Sequence, residues 1–307
     1  MSTITAAPPI TAAPPITAVP VDSPVPVDSP AGLASPTSLP SVSIVIPAYN
    51  EEAVIERCVR AALDQSVPAR EIIVVDNRSS DRTAAIVRRM AAEPGGERLR
   101  LVRQDTTQGL VPTRNAGFEA ATGAVLGRID ADSVVDHEWT RRVAESMLDP
   151  EVGAVTGPVS YYDLPHPGWG GRADDLARRT FRHLGTRYPF LYGSNMAIRA
   201  SAWRRIEADT CRDEEDRLHE DIDLAVHLFE AGIRAAYEPT MRAGVSARRL
   251  DSAPADFRDY TKRFERTYAA HGIDFWYLKA PQLLLESLYW PLRWGRRLRL
   301  TPSGWLA

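Results

Sequence analysis

The chain has 307 residues, 44% of them hydrophobic and 25% charged, and a formal net charge of −3 at pH 7. These are the proportions of a globular protein with room for one large domain or two modest ones, and the slightly acidic balance argues against bulk nucleic-acid binding, which needs a basic face. Two cysteines, Cys58 and Cys211, exclude a disulfide framework and make a reduced setting the default.

The first forty residues stand apart. "ITAAPPITAAPPITAVPVDSPVPVDSP" is a short-period, proline-rich repeat with almost no long apolar side chains. Proline fixes φ and removes backbone donors, so a disordered or polyproline-II tail is expected over residues 1–40. The N-terminus has neither the basic nor the apolar region of a signal peptide, and no stretch reaches the ~18–20 apolar residues of a membrane span. A cytoplasmic location is therefore expected.

From Ser41 the pattern changes. Val42 to Ile46 is an apolar, β-branched run that Pro47 is expected to end, and Asn50-Glu51-Glu52 opens a helix with Val54, Ile55, Cys58, Val59, Ala62 and Leu63 at helical spacing. The unit repeats. "EIIVVD" reads as a second buried strand, and "SSDRTAAIVRRMAA" as a second helix with Ser79, Ser80 and Asp81 as cap candidates. "RLRLVRQ" alternates, so it belongs nearer a sheet edge. "LVPTRNAGFEAAT" is a third helix closed by Gly123, and "AVLGRI" a fourth strand. Beyond it come a strand in "VGAVTGPVSYY", a helix after "HPGWGG", two short elements around "YGSN", and a helix in "HEDIDLAVHLFEAG" with Leu224, Val226, Leu228 and Phe229 inside and Gly232 as its stop. A short strand in "IRAAYEP" and a helix over 251–272 follow. Strands alternating with helices predict an α/β fold with a mainly parallel sheet, whose ligands bind beyond the carboxyl ends of the strands.

Three such ends carry polar groups: Tyr49-Asn50-Glu51, Asp76-Asn77 and Asp130-Ala131-Asp132. The rim has no G-x-G-x-x-G, no P-loop, no zinc-spaced Cys/His set and no G-x-S-x-G elbow. What remains is hard oxygen ligands, suited to Mg2+ or Mn2+ entering with a substrate phosphate. The D-x-D pattern occurs twice, at Asp130/Asp132 and Asp221/Asp223. The first follows a buried strand at the rim, where both carboxylates can converge or simply be solvated. The second lies in a helix, where residues two apart face different ways. Glu220-Asp221 begins that helix, where the backbone dipole favours negative charge. A positioned, ionised base and plain N-terminal charge bias both fit that placement.

Taken in order, "SVSIVIPAYNEE", "EIIVVDNRSSDRT", "GLVPTRNAGFEAATGAVLGRIDADS", "GSNMAIRASAW" and "HEDIDLAVHLFEAG" resemble the family 2 glycosyltransferases over Ser41 to about Pro239. The resemblance implies a GT-A (Rossmann-like) fold and an inverting, hexosyltransferase-type activity using a nucleotide-sugar donor and Mn2+ or Mg2+. It implies that Pro47, Ala48, Tyr49 and Glu51 line the nucleotide pocket, with Asp76 and Asn77 by the base and ribose and Arg114 on the donor side. Asp130 would hold the ribose or the metal's water shell, and Asp132 would ligate the ion. Asp221 would be the general base with Glu220 supporting it. Gly193-Ser194-Asn195 would form the turn beside the acceptor. Arg248 and Arg249 match a basic pair that often follows the last strand in the family. The chain departs from the family at Arg78, where a small turn residue is usual, and lacks the Q-x-x-R-W of processive synthases, so single transfers are implied.

The expected organisation is a tail over 1–40, a catalytic domain over 41–245 (nucleotide half 41–135, acceptor half 136–245), and a helical C-terminal extension over 246–307. Within the extension, Phe275 to Leu300 is dense in Trp, Tyr and Leu and ends in Arg293, Arg296, Arg297 and Arg299. That mix suits peripheral contact with the inner face of a membrane, and equally a helix packed on the catalytic domain or a partner. The acceptor would be a sugar, a lipid-linked species or a small-molecule hydroxyl. A second class of function stays open, a catalytically inactive GT-A domain acting as a binding module. A nucleotidyltransferase would want a glycine-rich basic loop where the chain has "PAYNEEAV".

Overall fold

The computed structural model describes residues 38–164, 190–213, 215–274 and 280–297, which all fall within one unit, Ser38–Ala307. The tail before Ser38, the helix expected after "HPGWGG", and both ends of the aromatic segment lie outside the described residues.

Seven strands form the main sheet in the order β3-β2-β1-β4-β8-β6-β9. They are β1 (Val42–Ala48), β2 (Glu71–Asp76), β3 (Leu99–Arg103), β4 (Val125–Arg128), β6 (Val152–Thr156), β8 (Met196–Arg199) and β9 (Arg234–Tyr237). All pairings are parallel except those of β8, which runs against both β4 and β6. β1 and β2 are buried along their whole length because helices cover both faces. Ile44 and Ile46 pack with α1 (Ile55–Leu63), α2 (Thr83–Ala92) and α4 (Trp139–Ser146). Val45, on the opposite face, packs with α3 (Leu110–Ala120), α5 (Ala200–Ile206) and α6 (Glu220–Glu230). β3 is an edge strand and keeps the alternation that its sequence shows. Three further strands, β5 (Val134–Val135), β10 (Ala243–Val245) and β7 (Val159–Tyr161), form a small second sheet.

The order steps outward from β1 in both directions, to β2 on one side and β4 on the other. This is the switch point at which open α/β sheets leave a crevice. β1 does not stop at Pro47. Ile129 N–H donates to Val45 C=O, so odd residues of β1 face β4, and the paired part of β4 ends opposite Val45. The missing N–H of Pro47 therefore points where no strand needs it. Gly123 does not cap α3, which ends at Ala120 with an extended residue. It lets β4 start close against β1, since a Cβ there would sit 2.7 Å from Ser43 N. Phe229, expected inside, is 38% exposed. The run 152–162 breaks at Gly157-Pro158 into strands of two sheets, and 251–272 is two helices, α7 (Pro254–Thr261) and α8 (Arg263–Ala270). Of the cap candidates, Asp81 accepts the Thr83 N–H, whereas Ser79 and Ser80 hold Asn50 across the rim.

α9 (Ala280–Arg297) lies against this C-terminal part through Leu285, Tyr289 and Leu292. Tyr289 Oη donates to Ser252 C=O, and Arg296 pairs with Asp163 and Asp251. Its other side exposes Leu283, Leu284, Leu288, Trp290 and Trp294. Among the described residues no helix is long and apolar enough to cross a membrane.

Candidate active site

The cleft opens at the carboxyl ends of β1 and β4. Past β4 the chain makes a tight turn in which Ser133 N–H donates to Asp130 C=O and Asp130 N–H to Ser133 Oγ. Ser133 Oγ also donates to Ser194 C=O, tying this turn to the loop before β8. Asp130 and Asp132 leave the turn in different surroundings. Asp130 keeps a side chain 42% exposed and pairs with Arg128 at 2.7 Å. Asp132 is buried, 3.3 Å from Arg248 Nε. Burial first, then the charges of Asp130 and Glu51, push its carboxyl up to about 7 against the opposing pull of Arg248. Arg248 meanwhile grips both oxygens of Glu51 at 2.5 Å. A guanidinium thus sits among carboxylates that together carry more negative charge than their setting tolerates.

Across the cleft stands the start of α6. Glu220 is buried and takes Arg114 Nη1 at 2.5 Å and Arg128 Nη2 at 3.2 Å. The result is a chain of alternating charge, Arg114–Glu220–Arg128–Asp130, joining α3, α6 and β4. Asp221 lines the cleft. Its Oδ2 accepts the Gly193 N–H at 3.0 Å, and its Oδ1 accepts its own Ile222 N–H. Burial and then the neighbouring Glu220 raise its carboxyl to about 6, despite the Gly193 N–H and Arg128. It is thus mostly ionised at neutral pH, yet a better proton acceptor than an ordinary aspartate. Asp223 points away from the cleft, as helical spacing requires.

A model described as "Glycosyl transferase family 2" matches residues 43–206, more than half of the chain and the part that builds this rim. The chain belongs to glycosyl transferase family 2, a family of transferase enzymes. "Glycosyl transferase family group 2" matches 128–306. Among curated relatives, the succinoglycan biosynthesis protein ExoO of Rhizobium meliloti is 30% identical over 259 residues, 76% of this chain and 70% of that one. The glycosyltransferase AglE of Haloferax volcanii is 33% identical over 137 residues, and that match spans 44% of this chain and 43% of AglE. Among solved structures, the mannosyltransferase PcManGT of Pyrobaculum calidifontis superposes with a TM-score of 0.58 at 23% identity, covering 89% of this chain and 78% of that one. Glucosyl-3-phosphoglycerate synthase of Mycobacterium tuberculosis does so with a TM-score of 0.50 at 19% identity, covering 77% and 82%. These two likenesses establish the fold, a GT-A sheet flanked by helices.

The residues singled out in this family 2 chain fall into two groups. Pro47, Ala48, Tyr49, Glu51, Asp130, Asp132, Ser194, Glu220, Asp221, Arg248 and Arg249 all line the cleft, with Arg249 stacked on Tyr260 at 4.0 Å. The others are placed in its walls. Asp76 is fully buried at the end of β2; among the described residues neither carboxylate oxygen has a hydrogen-bond partner, and Arg103 forms an ion pair with it at 3.8 Å. The Asn77 amide reaches the cleft, but its Nδ2 donates to Gln104 and Thr107 carbonyls and its Oδ1 accepts from Gly109 N and Gln108. It holds a loop and has little left for a base. Arg114 is buried behind Glu220 rather than facing the cleft. Asn195 is likewise interior, bonded to Trp139 Nε1 and to the Pro158 and Met241 carbonyls. Gly193 is glycine because a Cβ would meet Arg128 Nη1 at 1.6 Å. Arg78 takes φ 64° where the family has a small residue.

Sequence reasoning missed Arg128, Ser133, Tyr260 and His219. Arg128 left a signal, a lone cation inside the apolar run "AVLGRI". His219 lines the cleft between Tyr260 and Phe264, and burial, then Arg263 and Arg249, push its imidazole down to about 3.

Proposed function

We infer that this chain moves one sugar at a time from a nucleoside-diphosphate sugar to an acceptor hydroxyl, with inversion, using Asp221 as base. The observation that carries the reading is the opposition of two carboxylate centres across one cleft, Asp130/Asp132 past β4 and Asp221 on α6. PcManGT was solved with GDP-Man and Mn2+, and the mycobacterial synthase with Mn2+, UDP and its glucosylated product, which supports a nucleotide-sugar donor and a divalent ion here.

The donor set fits such an ion. Asp132 is a hard oxygen ligand whose proton affinity is raised by burial and then by Asp130 and Glu51, all of which a bound cation would offset. Asp132 would hold the ion, with Asp130 by the ribose or the water shell. When bound, the ion supplies charge neutralisation for the departing nucleoside diphosphate. The chain's residues do the rest. The carboxylate of Asp76, which accepts no hydrogen bond among the described residues, suits donor N–H or O–H groups of a base or ribose. Asp221 accepts the acceptor's hydroxyl proton as the new C–O bond forms on the face opposite the leaving group. The old bond breaks with its electron pair going to the diphosphate. Glu220, held by two arginines, fixes the helix start on which Asp221 stands. The exposed Leu and Trp side chains of α9 favour an acceptor met at a membrane surface, on the inner face for a cytoplasmic enzyme.

The test is a thermal-shift screen of UDP-, GDP- and dTDP-sugars with Mn2+ or Mg2+, then turnover on the stabilising donor. Asp132→Asn should abolish ion-dependent donor hydrolysis. Asp221→Asn should keep donor binding and lose transfer. Retained hydrolysis in the first, or lost donor binding in the second, would overturn these assignments. Failure of every donor to stabilise the chain would favour the inactive binding module. Sedimentation with anionic vesicles tests α9, and no binding would remove the membrane from the reading.

A further inference from the structure

Behind the catalytic helix four other side chains converge. Asp223 and His227 are four apart on α6, hence on one face of it, turned away from the cleft. Cys211 arrives from the segment after α5, and His271 from the end of α8. Sγ of Cys211, a carboxylate oxygen of Asp223 and one ring nitrogen from each histidine all lie within 4.8 Å of one another. Asp223 Oδ1 is 2.9 Å from His271 Nε2 and 3.4 Å from His227 Nε2. We propose that Cys211, Asp223, His227 and His271 form a four-ligand Zn2+ site, separate from the cleft, that pins α6 to α8 and to the segment after α5.

The chemistry and the distances both point to this ion. One thiolate, two imidazoles and one carboxylate are a tetrahedral zinc set. Bonds of about 2.0–2.3 Å in a tetrahedron place neighbouring donors roughly 3.3–3.7 Å apart, so a pair at the 4.8 Å limit must close by about 1–1.5 Å, shared between its two side chains. Hydrogen bonding alone leaves the cluster incomplete. Asp223 accepts the Cys211 N–H at 3.1 Å and meets His271, but His227 Nε2 is buried with no hydrogen-bond partner among the described residues. The other nitrogen of His227 lies 3.8 Å from Glu230, the side on which a ligating histidine's N–H meets a carboxylate. With its proton on Nδ1 towards Glu230, His227 would offer the Nε2 lone pair to a cation held between it and the Asp223 carboxylate. On binding, Cys211 gives its proton to solvent and His271 moves its own proton to Nδ1, leaving Nε2 free to ligate. Ligation releases the thiol proton, so uptake should strengthen as pH rises. The ion would be structural, with all four positions filled by protein.

The test uses the full chain. As purified without chelator, it should hold one equivalent of zinc by elemental analysis. After stripping, a Co2+ titration should give a thiolate-to-cobalt charge-transfer band and intense tetrahedral bands. Cys211→Ser should lose the charge-transfer band, and His227→Gln should weaken Co2+ binding at least tenfold with its circular dichroism unchanged. Asp132→Asn should leave the bands intact, because Asp132 lies in the cleft and is none of the four proposed ligands. No charge-transfer band in the parent chain, an unchanged titration in His227→Gln, or loss of the bands in Asp132→Asn would each overturn the proposal. Should Cys211→Ser fail to fold, His227→Gln carries the decision.

Discussion

Glu220→Gln tests the charge chain beneath the cleft. The Glu220 side chain is 6% exposed and its partners Arg114 and Arg128 are 0% and 3% exposed, so water cannot take over when the carboxylate is neutralised. Arg128 would retain Asp130, which is partly solvated. Arg114 would retain the Asn115 side-chain oxygen at 3.0 and 2.8 Å, the residue-220 carbonyl at 3.4 Å and at most a neutral amide oxygen in place of its counter-charge. Breaking one partner out of a buried ion pair costs about 3–5 kcal/mol, mostly from the uncompensated charge left behind. For a domain of this size that is a fall in melting temperature of roughly 6–20 °C. Differential scanning calorimetry and urea titration read it directly. Adding Arg114→Met should cost less than the sum of the two single changes, because it removes the stranded cation. Asp221→Asn is the control. Its partners are two backbone N–H groups on different carboxylate oxygens, of which an amide oxygen can satisfy one, so it should cost about 1–3 kcal/mol and less than Glu220→Gln, because no cation is stranded. A Glu220→Gln chain that melts within about 2 °C of the parent would refute the argument.

Gly193→Ala would put a Cβ 2.7 Å from Arg128 Cζ and 2.9 Å from Glu220 Oε1, so it should destabilise by about 1–3 kcal/mol and lower turnover; an unchanged melting temperature would show that the arginine can step aside. Arg248→Gln removes a competing cation from Asp132 and Glu51, so Mn2+ should bind the donor-free protein more tightly, and weaker binding by paramagnetic resonance would refute it. Burial pushes the Glu71 carboxyl up, but bonds from Thr122, Ser43 and Arg100 outweigh it and hold it at about 2. The parent's advantage over Glu71→Gln, about 3 kcal/mol, should therefore be full above pH 4.5 and vanish as pH falls towards 2. His219 is also depressed, so the parent should lose stability relative to His219→Gln as pH drops from 6.5 towards 3, and parallel curves would contradict that.

What the sequence discloses follows from how far each interaction reaches. β1, β2 and β4 are legible because burial on both faces needs unbroken apolar runs, and the carboxylates at their ends are legible because chain order puts them on one rim. Partnerships across long separations leave no periodic trace. Arg114 and Glu220 lie 106 residues apart, so nothing local says that Arg114 supports the site from behind instead of facing it. Asn77 and Asn195 sit inside recognisable motifs, yet their amides bond mostly to the backbone of distant loops, with Gln108 and Trp139 as the side-chain partners. A motif marks where such an amide is required and does not say whether it serves a ligand or a turn.

The same reasoning bears on why α6 can carry so much acid. Glu220, Asp221 and Asp223 occupy its first turn, where the backbone dipole favours negative charge by only about 0.3–1 kcal/mol each. That is too little to bury three carboxylates, so each must find its own compensation in its own direction. Glu220 takes two guanidiniums, and Asp223 takes the Cys211 N–H and His271 on the opposite face. Asp221 takes two backbone N–H groups and no direct cation, and is the one of the three raised well above the ordinary aspartate range. Glu220 and Asp221 both line the cleft, and Asp221 is the incompletely compensated one. Giving it an arginine would stabilise its charge and lower its basicity. The two flanking acids anchor the helix while Asp221 remains under-solvated, which is the arrangement the proposed roles need, Glu220 positioning and Asp221 accepting the proton.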